Sequence, residues 1–381
     1  MNLPEPTAEA RSHSERLARH IREDVARCGG WISFARYMEL ALYAPGLGYY
    51  TAGARKLGAG GDFVTAPELS PLFGQTLARQ VAQVLGLGFD TVLELGAGSG
   101  ALAAALLETL QTVDALPRQY LILEVSPDLR ERERDLLAAR VPHLLERVAW
   151  INQLPHGFEG LVIANEVLDA MPTHLVRTTD HGVVEAGVVA SAAGFAMADR
   201  PAGDDLLQQA AALALQPGTT TEIQLVAQAF MHSLGTTLAR GIALFFDYGF
   251  AASEYYHPQR TSGTLMCHYR HHAHDDPFFL PGLQDITTHV DFSAITAAGA
   301  RGGLDLAGYV TQAQFLINCG ITEVLAQTSP DDVKRYAPLA GAANRLLSPA
   351  EMGELFKVIA FSKGVDAALA GFAAGDRSHT L

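Results

Sequence analysis

Cysteine is nearly absent from this chain. Cys28, Cys267 and Cys319 are odd in number, far apart and outside any C-x-x-C spacing. That pattern argues against a disulfide framework or a zinc knuckle and for a reducing compartment, and a cytoplasmic address is expected. Long apolar runs are missing too: nothing approaches the roughly 18 to 20 residues that a membrane-spanning helix needs. The opening MNLPEPTAEARSHSERLARH contains acids and no apolar signal core, so a soluble chain with no membrane span is expected. Positive charge is short, with 27 Lys and Arg against 41 Asp and Glu, a formal net charge of −14, and no basic run. Binding nucleic acid through its phosphates is disfavoured, and a cationic ligand or partner is favoured. Internal repeats and low-complexity tracts are also lacking.

What the chain has is length and glycine. Its 381 residues can bury a large core, and a usual domain size of roughly 150 residues suggests two or three units. The most informative stretch is TVLELGAGSG, residues 91–100. Thr91 to Leu95 read as a buried parallel strand, Gly96, Gly98 and Gly100 permit a tight turn under a ligand, and ALAAALLETL opens a helix. Gly96, Gly98 and Ala101 satisfy the spacing of a dinucleotide fingerprint, which seats pyrophosphate on the helix N-terminus. Glu94 does not suit that ligand. Two residues before the first glycine, its carboxylate repels a pyrophosphate but pairs with an amino-acid ammonium group. S-adenosylmethionine carries such a group. Glu124 ends the next strand, YLILEV, where a carboxylate can accept hydrogen bonds from both ribose hydroxyls; NAD would use it as well. E-L-G-A-G-S-G followed by a strand-terminal Glu resembles the class I methyltransferase signature more than that of a dehydrogenase.

Strands and helices alternate around this turn. TVLEL, YLILEV, RVAWI and GLVIAN read as a parallel sheet, and GIALFFDYG, GLDLAGYV and FKVIAFSKG as its later strands. Before it come the helices SERLARHIREDVARCG and ISFARYMELALY, with residues 1–12 expected to fray. A Gly/Pro-rich segment from about 44 to 70 follows, too long for a plain connector and read as a lid. His174 to Arg200 read as an inserted antiparallel meander split by DHG and SAAG, and Asp204 to Arg240 as helical. The expected domains are 1–90 (helices and lid), 91–173 (first part of the donor-binding core), 174–240 (insertion), 241–366 (remainder of the core) and 367–381 (a loose tail).

NEVLDAMP carries a second cluster of acids. Asn165, Glu166 and Asp169 follow a strand at the C-terminal edge of a parallel sheet, where such folds place their sites. If the segment makes a helical turn, Glu166 and Asp169 face the same way and grip a guanidinium by charge-assisted hydrogen bonds. As a solvated helix cap they would have no such role. GDFVTAPE supplies Asp62, Thr65 and Glu68 to the lid. Tyr49 and Tyr50 read equally as walls of a transfer site or as core packing. Asp247 in FFDYG ends a core strand at the same edge. The run His268, His271, His272, His274, Asp275, Asp276 offers only His268 and His272 at i, i+4, and methyl transfer from a sulfonium needs no Lewis acid. No metal is assigned there; the run is read as a substrate-side loop or as buried hydrogen-bonding groups, and His289 and Asp291 could join that wall.

MELALYAPGLGYYT, GDFVTAPELSPLFG, LELGAGSG, NEVLDAMP, FFDYG, GTLMCHYRHHAHDDP and DITTHVDF resemble, in order and over nearly the whole chain, the MidA-like methyltransferases. That family includes a mitochondrial complex I assembly factor acting on an arginine of a complex I subunit. The resemblance implies a class I (Rossmann-like) α/β fold with a seven-stranded, mostly parallel sheet, a helical N-terminal cover and an inserted antiparallel meander. It also implies S-adenosylmethionine as methyl donor and a protein arginine as acceptor, with a respiratory complex I subunit as the model of such a partner and a homodimer as a compatible assembly. Donor-side residues are then Thr65, Glu94, Gly96, Ala97, Gly98, Gly100, Glu124 and Asn165, and acceptor-side residues Glu166 and Asp169. Asp169 departs from the second Glu of the acidic loop in arginine methyltransferases. The rival readings are a small-molecule methyltransferase, a non-catalytic assembly chaperone that keeps the fold, and a dehydrogenase.

Overall fold

The computed structural model describes residues 3–52, 65–192 and 194–381. They divide into two compact units. One takes residues 65–167, Phe230–Gly249 and Phe292–Leu381; the other takes the residues up to 52, Leu168–Ala229 and Phe250–Asp291.

The first unit is built on strands β1 (Thr91–Leu95), β2 (Gln119–Leu123), β3 (Val148–Ile151), β4 (Phe158–Asn165), β5 (Leu238–Phe250), β6 (Asp305–Thr311) and β7 (Phe356–Lys363). They lie side by side in the order β6-β7-β5-β4-β1-β2-β3. From β3 to β5 every pairing is parallel, while β7 runs antiparallel to both β5 and β6. This is the class I methyltransferase sheet. All five residues of β1 are buried, as a strand covered on both faces by helices requires. The register sets Leu95 opposite both Leu123 and Ala164, and Asn165 opposite Phe246, so the ends of β1, β2, β4 and β5 meet at one edge.

The helices flanking this sheet start where their caps dictate. Ser70 accepts from Leu72 N ahead of helix Pro71–Leu85, and Ser126 from Leu129 N ahead of Pro127–Arg140, each with proline in the first turn, where a missing N–H costs nothing. The C-terminal tail is not loose. Gln80 Oε1 accepts from Gly371 N at 2.8 Å, Tyr309 O accepts from Arg377 N at 2.7 Å, and Leu369 and Phe372 are buried; apolar side chains in an otherwise polar tail give it a core to join.

The second unit holds helices Ala8–Arg27 and Phe34–Tyr43 and two antiparallel sheets. Strands His174–Thr179, Gly182–Ser191 and Gly194–Pro201 form the expected meander, extended by Ile32–Ser33 and Thr220–Ile223. Met266–Tyr269, His272–His274 and Asp285–Thr287 form a three-stranded sheet. Two expectations change. The first helix begins at Ala8, because Thr7 Oγ1 caps it by accepting from Ala10 N, so fraying does not reach residue 12. The stretch from Asp204 to Arg240 is two helices, Asp204–Ala212 and Leu225–Thr237, interrupted by the strand Thr220–Ile223. Pro217 and Gly218 break the first helix, and the TTEI run pairs with Val176 and its neighbours.

Candidate active site

The residues expected on the donor side gather at the edge where β1, β2 and β4 end. Glu94 is 3 % exposed and accepts the Tyr120 hydroxyl on Oε2 at 2.6 Å. Burial pushes its carboxyl up to about 7, against the pull of that hydrogen bond. A cation placed beside it would favour the ionised form.

Beyond β1 the backbone turns through Gly96 (φ 60°), Gly98 (φ 63°) and Gly100 (φ 81°). The turn is tied down by Gly96 N on Leu123 O and Gly100 N on Ala97 O. At two of these glycines the space is also closed to a side chain. A Cβ on Gly96 would lie 3.3 Å from Val167 Cγ2, and one on Gly100 3.2 Å from Glu133 Cα. Gly100 is the N-cap of helix Ala101–Thr112 and supplies no side-chain cap, leaving first-turn amides suited to a carboxylate. An ammonium acceptor, a bare glycine turn and a helix N-terminus fit the amino-acid end of S-adenosylmethionine.

Glu124 is buried and follows β2. Its Oε1 accepts from Ser126 N at 2.7 Å, and Arg130 Nε bonds its carbonyl at 2.6 Å. The carboxyl is thereby oriented before any ribose arrives. Thr65 precedes the short helix Ala66–Leu69, whose Glu68 N and Leu69 N bond its carbonyl. Asp62 lies outside the described residues, as do residues 53–64 of the segment read as a lid.

Three residues were not anticipated: Tyr120, whose hydroxyl reaches Glu94 from the start of β2, and Glu133 beside Gly100 with its partner Trp150. Glu133 is fully buried, receives Trp150 Nε1 on Oε2 at 2.7 Å, and has no partner for Oε1 among the described residues. Burial and then the charge of Glu124 push it up to about 8. A carboxyl in a helix otherwise rich in charge carries no sequence mark of burial.

At the end of β4, Asn165 Nδ2 donates to Glu166 Oε1 at 3.1 Å, and Glu166 N bonds Phe246 O at 2.8 Å. Val167 N then bonds Asp247 Oδ2 at 3.2 Å, and Tyr248 N bonds Asp247 Oδ1. Asp247 thus anchors this turn. The helical turn expected for NEVLDAMP does not form. Glu166 has φ 54°, the left-handed region that a non-glycine residue enters at a cost of about 1–3 kcal/mol and mostly at functional sites. Its amide and the next are held by Phe246 O and Asp247 Oδ2, and a residue at positive φ cannot lie in a right-handed helical turn.

Asp169 belongs to the second unit, where it is buried and its carbonyl accepts from Thr288 N at 3.1 Å. Tyr49 is buried in the core of that unit and Tyr50 is half-buried. The histidine run forms a hairpin with Arg270 and His271 at its tip, both with positive φ, and with His274 buried. Asp291 Oδ2 receives the Tyr256 hydroxyl at 2.9 Å, and His289 N donates to Thr264 Oγ1 at 3.0 Å.

Residues 76–310 match the model of a family described as S-adenosyl-L-methionine-dependent methyltransferases. A Burkholderia thailandensis protein solved with S-adenosylhomocysteine bound is 53 % identical, with a TM-score of 0.97 and all of both chains covered. The chain belongs to the MidA-like methyltransferases. The protein arginine methyltransferase NDUFAF7 homolog of Drosophila melanogaster is 30 % identical over 96 % of this chain and 89 % of its own, and NDUFAF7 of Danio rerio 28 % identical over 91 % and 86 %. This MidA-like protein is an S-adenosylmethionine-dependent methyltransferase. The comparisons overturn the cytoplasmic expectation, because these curated relatives are mitochondrial proteins. Three unpaired cysteines fit any reducing compartment, the mitochondrial matrix included, so the cysteine argument could not choose. Among the described residues no helix is long and apolar enough to cross a membrane.

Proposed function

We propose that this methyltransferase acts on an arginine side chain of a protein, with a respiratory complex I subunit as the model target. The relatives named protein arginine methyltransferase support the reading. The observation that carries it is Glu166, held at φ 54° where β4 ends, with its neighbour Val167 set against Gly96 of the donor turn. Strain at that position serves no packing need that a glycine would not serve better.

S-adenosylmethionine, when bound, supplies an electrophilic methyl group on a sulfonium. Glu94, the glycine turn from Gly96 to Gly100, Glu124, Thr65 and Asn165 are assigned to holding it. Glu166 and Asp169 are assigned to the acceptor. Guanidinium is a poor nucleophile because its charge is delocalised; carboxylates that accept its N–H bonds localise that charge and leave one nitrogen directed at the methyl group. Orientation then supplies much of the rate.

Mass spectrometry of the host proteome with and without this protein, after growth on labelled methionine, tests the proposal. Labelled methylarginine at one or a few protein sites, lost with the gene, is expected. Label that moves only into small molecules, or a folded protein that binds donor and yields no methylated product, would overturn it.

A further inference from the structure

The segment GLGYYT and the segment DITTHVDF are joined by one hydrogen bond within the second unit. The Tyr50 hydroxyl donates to Asp285 Oδ1 at 2.9 Å. The same oxygen accepts Ile286 N at 3.0 Å, so neutral donors fix the orientation of a carboxyl that is buried. The Tyr50 ring stacks on that of Tyr43, with centroids 5.5 Å apart and planes 22° from parallel, and Tyr49 meets it edge-on at 5.1 Å.

Tyr43 continues the cluster toward the acidic loop: its hydroxyl donates to Ala170 O at 2.9 Å, beside Asp169 in sequence. Thr288 N bonds Asp169 O, which ties that loop to the strand carrying Asp285. The Tyr50 phenol is pushed well above its ordinary value by burial first, then by the charge of Asp285, with Asp169 also contributing. The hydroxyl bonds Asp285 directly, and the loop of Asp169 is bonded to Thr288, which directly follows Thr287 and the strand of Asp285.

An independent feature points to a ligand. Thr287 alternates with Asp285 onto the same face of their strand. It is 2 % exposed, yet its Oγ1 has no hydrogen-bond partner among the described residues. Buried hydroxyls without a protein partner are uncommon and leave an acceptor open to a water or a ligand. Opposite Asp285 across the antiparallel register stands His268, and opposite Thr287 stands Met266, which gives the first histidine of the run a place beside this face.

We propose that Asp285 is an acceptor-binding residue, which with Asp169 takes the guanidinium of the arginine to be methylated, beside the stacked rings of Tyr43 and Tyr50 and with Thr287 Oγ1 accepting one N–H. The inference rests on the arginine reading given above and adds Asp285, Thr287 and the tyrosine pair to it. The chemistry is matched: a planar cation with five donors in a fixed fork suits carboxylates and a hydroxyl oxygen and stacks on aromatic faces, whereas an ammonium is a point charge that neither stacks nor bonds bidentately. Tyr50 is a positioning residue, acting through Asp285.

The test uses the full chain with S-adenosylhomocysteine and Nα-acetylarginine methylamide as the probe, its citrulline counterpart being the neutral isostere. Calorimetry or ligand-observed NMR should detect the arginine probe binding in preference to the citrulline one. Asp285→Asn should weaken the arginine probe about tenfold or more and erase the preference. It should leave the affinity for S-adenosylhomocysteine within about twofold, since no donor-side contact is assigned to Asp285. Tyr50→Phe, which keeps the ring, should weaken the arginine probe less and leave the citrulline probe unmoved. If Asp285→Asn does not fold, Asp285→Glu and Tyr50→Phe decide by the same two ratios. Arginine binding unchanged in folded variants refutes the role of Asp285 and leaves the arginine reading standing. A wild-type protein that binds S-adenosylhomocysteine but shows no preference for the arginine probe refutes both.

Discussion

The Tyr120 hydroxyl and Glu94 Oε2 lie 2.6 Å apart, on neighbouring parallel strands whose register puts both side chains on one face. The pair holds a carboxyl inside the protein near its point of half-ionisation. Burial alone would keep Glu94 neutral, and Tyr120 draws it back to about 7. A donor-side acid in that condition is ionised most readily by the arrival of a cation.

Affinity for S-adenosylhomocysteine should therefore rise with pH through about 7 and level off above it. Tyr120→Phe removes the bond that favours the ionised form, so the rise should move upward by about one pH unit. At pH 7 the variant should bind several-fold more weakly, and at pH 8.5 the gap should narrow. Calorimetric titration across that range reads the effect, and a flat profile in the wild type would remove Glu94 from the ammonium site.

Glu133 makes a different prediction, on stability. Its folded value of about 8 exceeds the ordinary 4.5, so the folded state holds this proton more tightly than the unfolded chain. The associated stability is complete below about pH 4.5 and is lost progressively as pH rises to about 8. Glu133→Gln keeps an acceptor for Trp150 Nε1 and removes the titration. Urea denaturation should show the variant gaining on the wild type between pH 5 and pH 9, by a difference that grows with pH. A difference independent of pH would mean that the carboxyl is ionised or neutral throughout.

The strand, glycine turn and helix from Thr91 to Thr112 were legible because their signals are local. A five-residue apolar run, an acid and alternating glycines fit one strand-turn-helix, and a strand-terminal Glu124 needs no long-range knowledge. Tyr120 and Glu133 were not legible, because their relevance depends on the register of β2 against β1 and on which side of a charged helix faces inward. NEVLDAMP misled for a related reason. Three-residue spacing of acids suggests a helical turn, but Glu166 sits at φ 54°, in a turn fixed by bonds from its amide and the next to Phe246 O and Asp247 Oδ2, partners some eighty residues away. Asp285 sat in a segment recognised only as part of a family pattern, and nothing in DITTHVDF announces that its first residue meets Tyr50.

Substitutions in the glycine turn should separate conformational strain from ligand contact. Gly98 has φ 63°, where a β-branched side chain is strained by about 1–3 kcal/mol. Gly98→Val should abolish measurable S-adenosylhomocysteine binding. Gly29 has φ 77° with nothing near its would-be Cβ, so Gly29→Ala should cost about 1 kcal/mol of stability and leave binding unchanged. Equal loss of binding in both would trace the effect to global destabilisation.

Glu166 combines strain with charge, and two variants pull these apart. Glu166→Gln keeps the shape and removes the charge. Loss of a charge-assisted contact to a buried guanidinium costs on the order of 2–5 kcal/mol, so turnover on the arginine target should fall roughly 30-fold or more, with donor affinity nearly unchanged. Glu166→Gly removes the side chain and accepts φ 54° freely, so it should lose the same activity while gaining on the order of 1 kcal/mol in urea denaturation. A residue retained for packing would behave the other way, with the glycine variant less stable and turnover in the Gln variant normal. If Glu166→Gln instead loses S-adenosylhomocysteine binding while turnover at saturating donor is normal, the carboxylate serves the donor and its assignment to the acceptor is refuted.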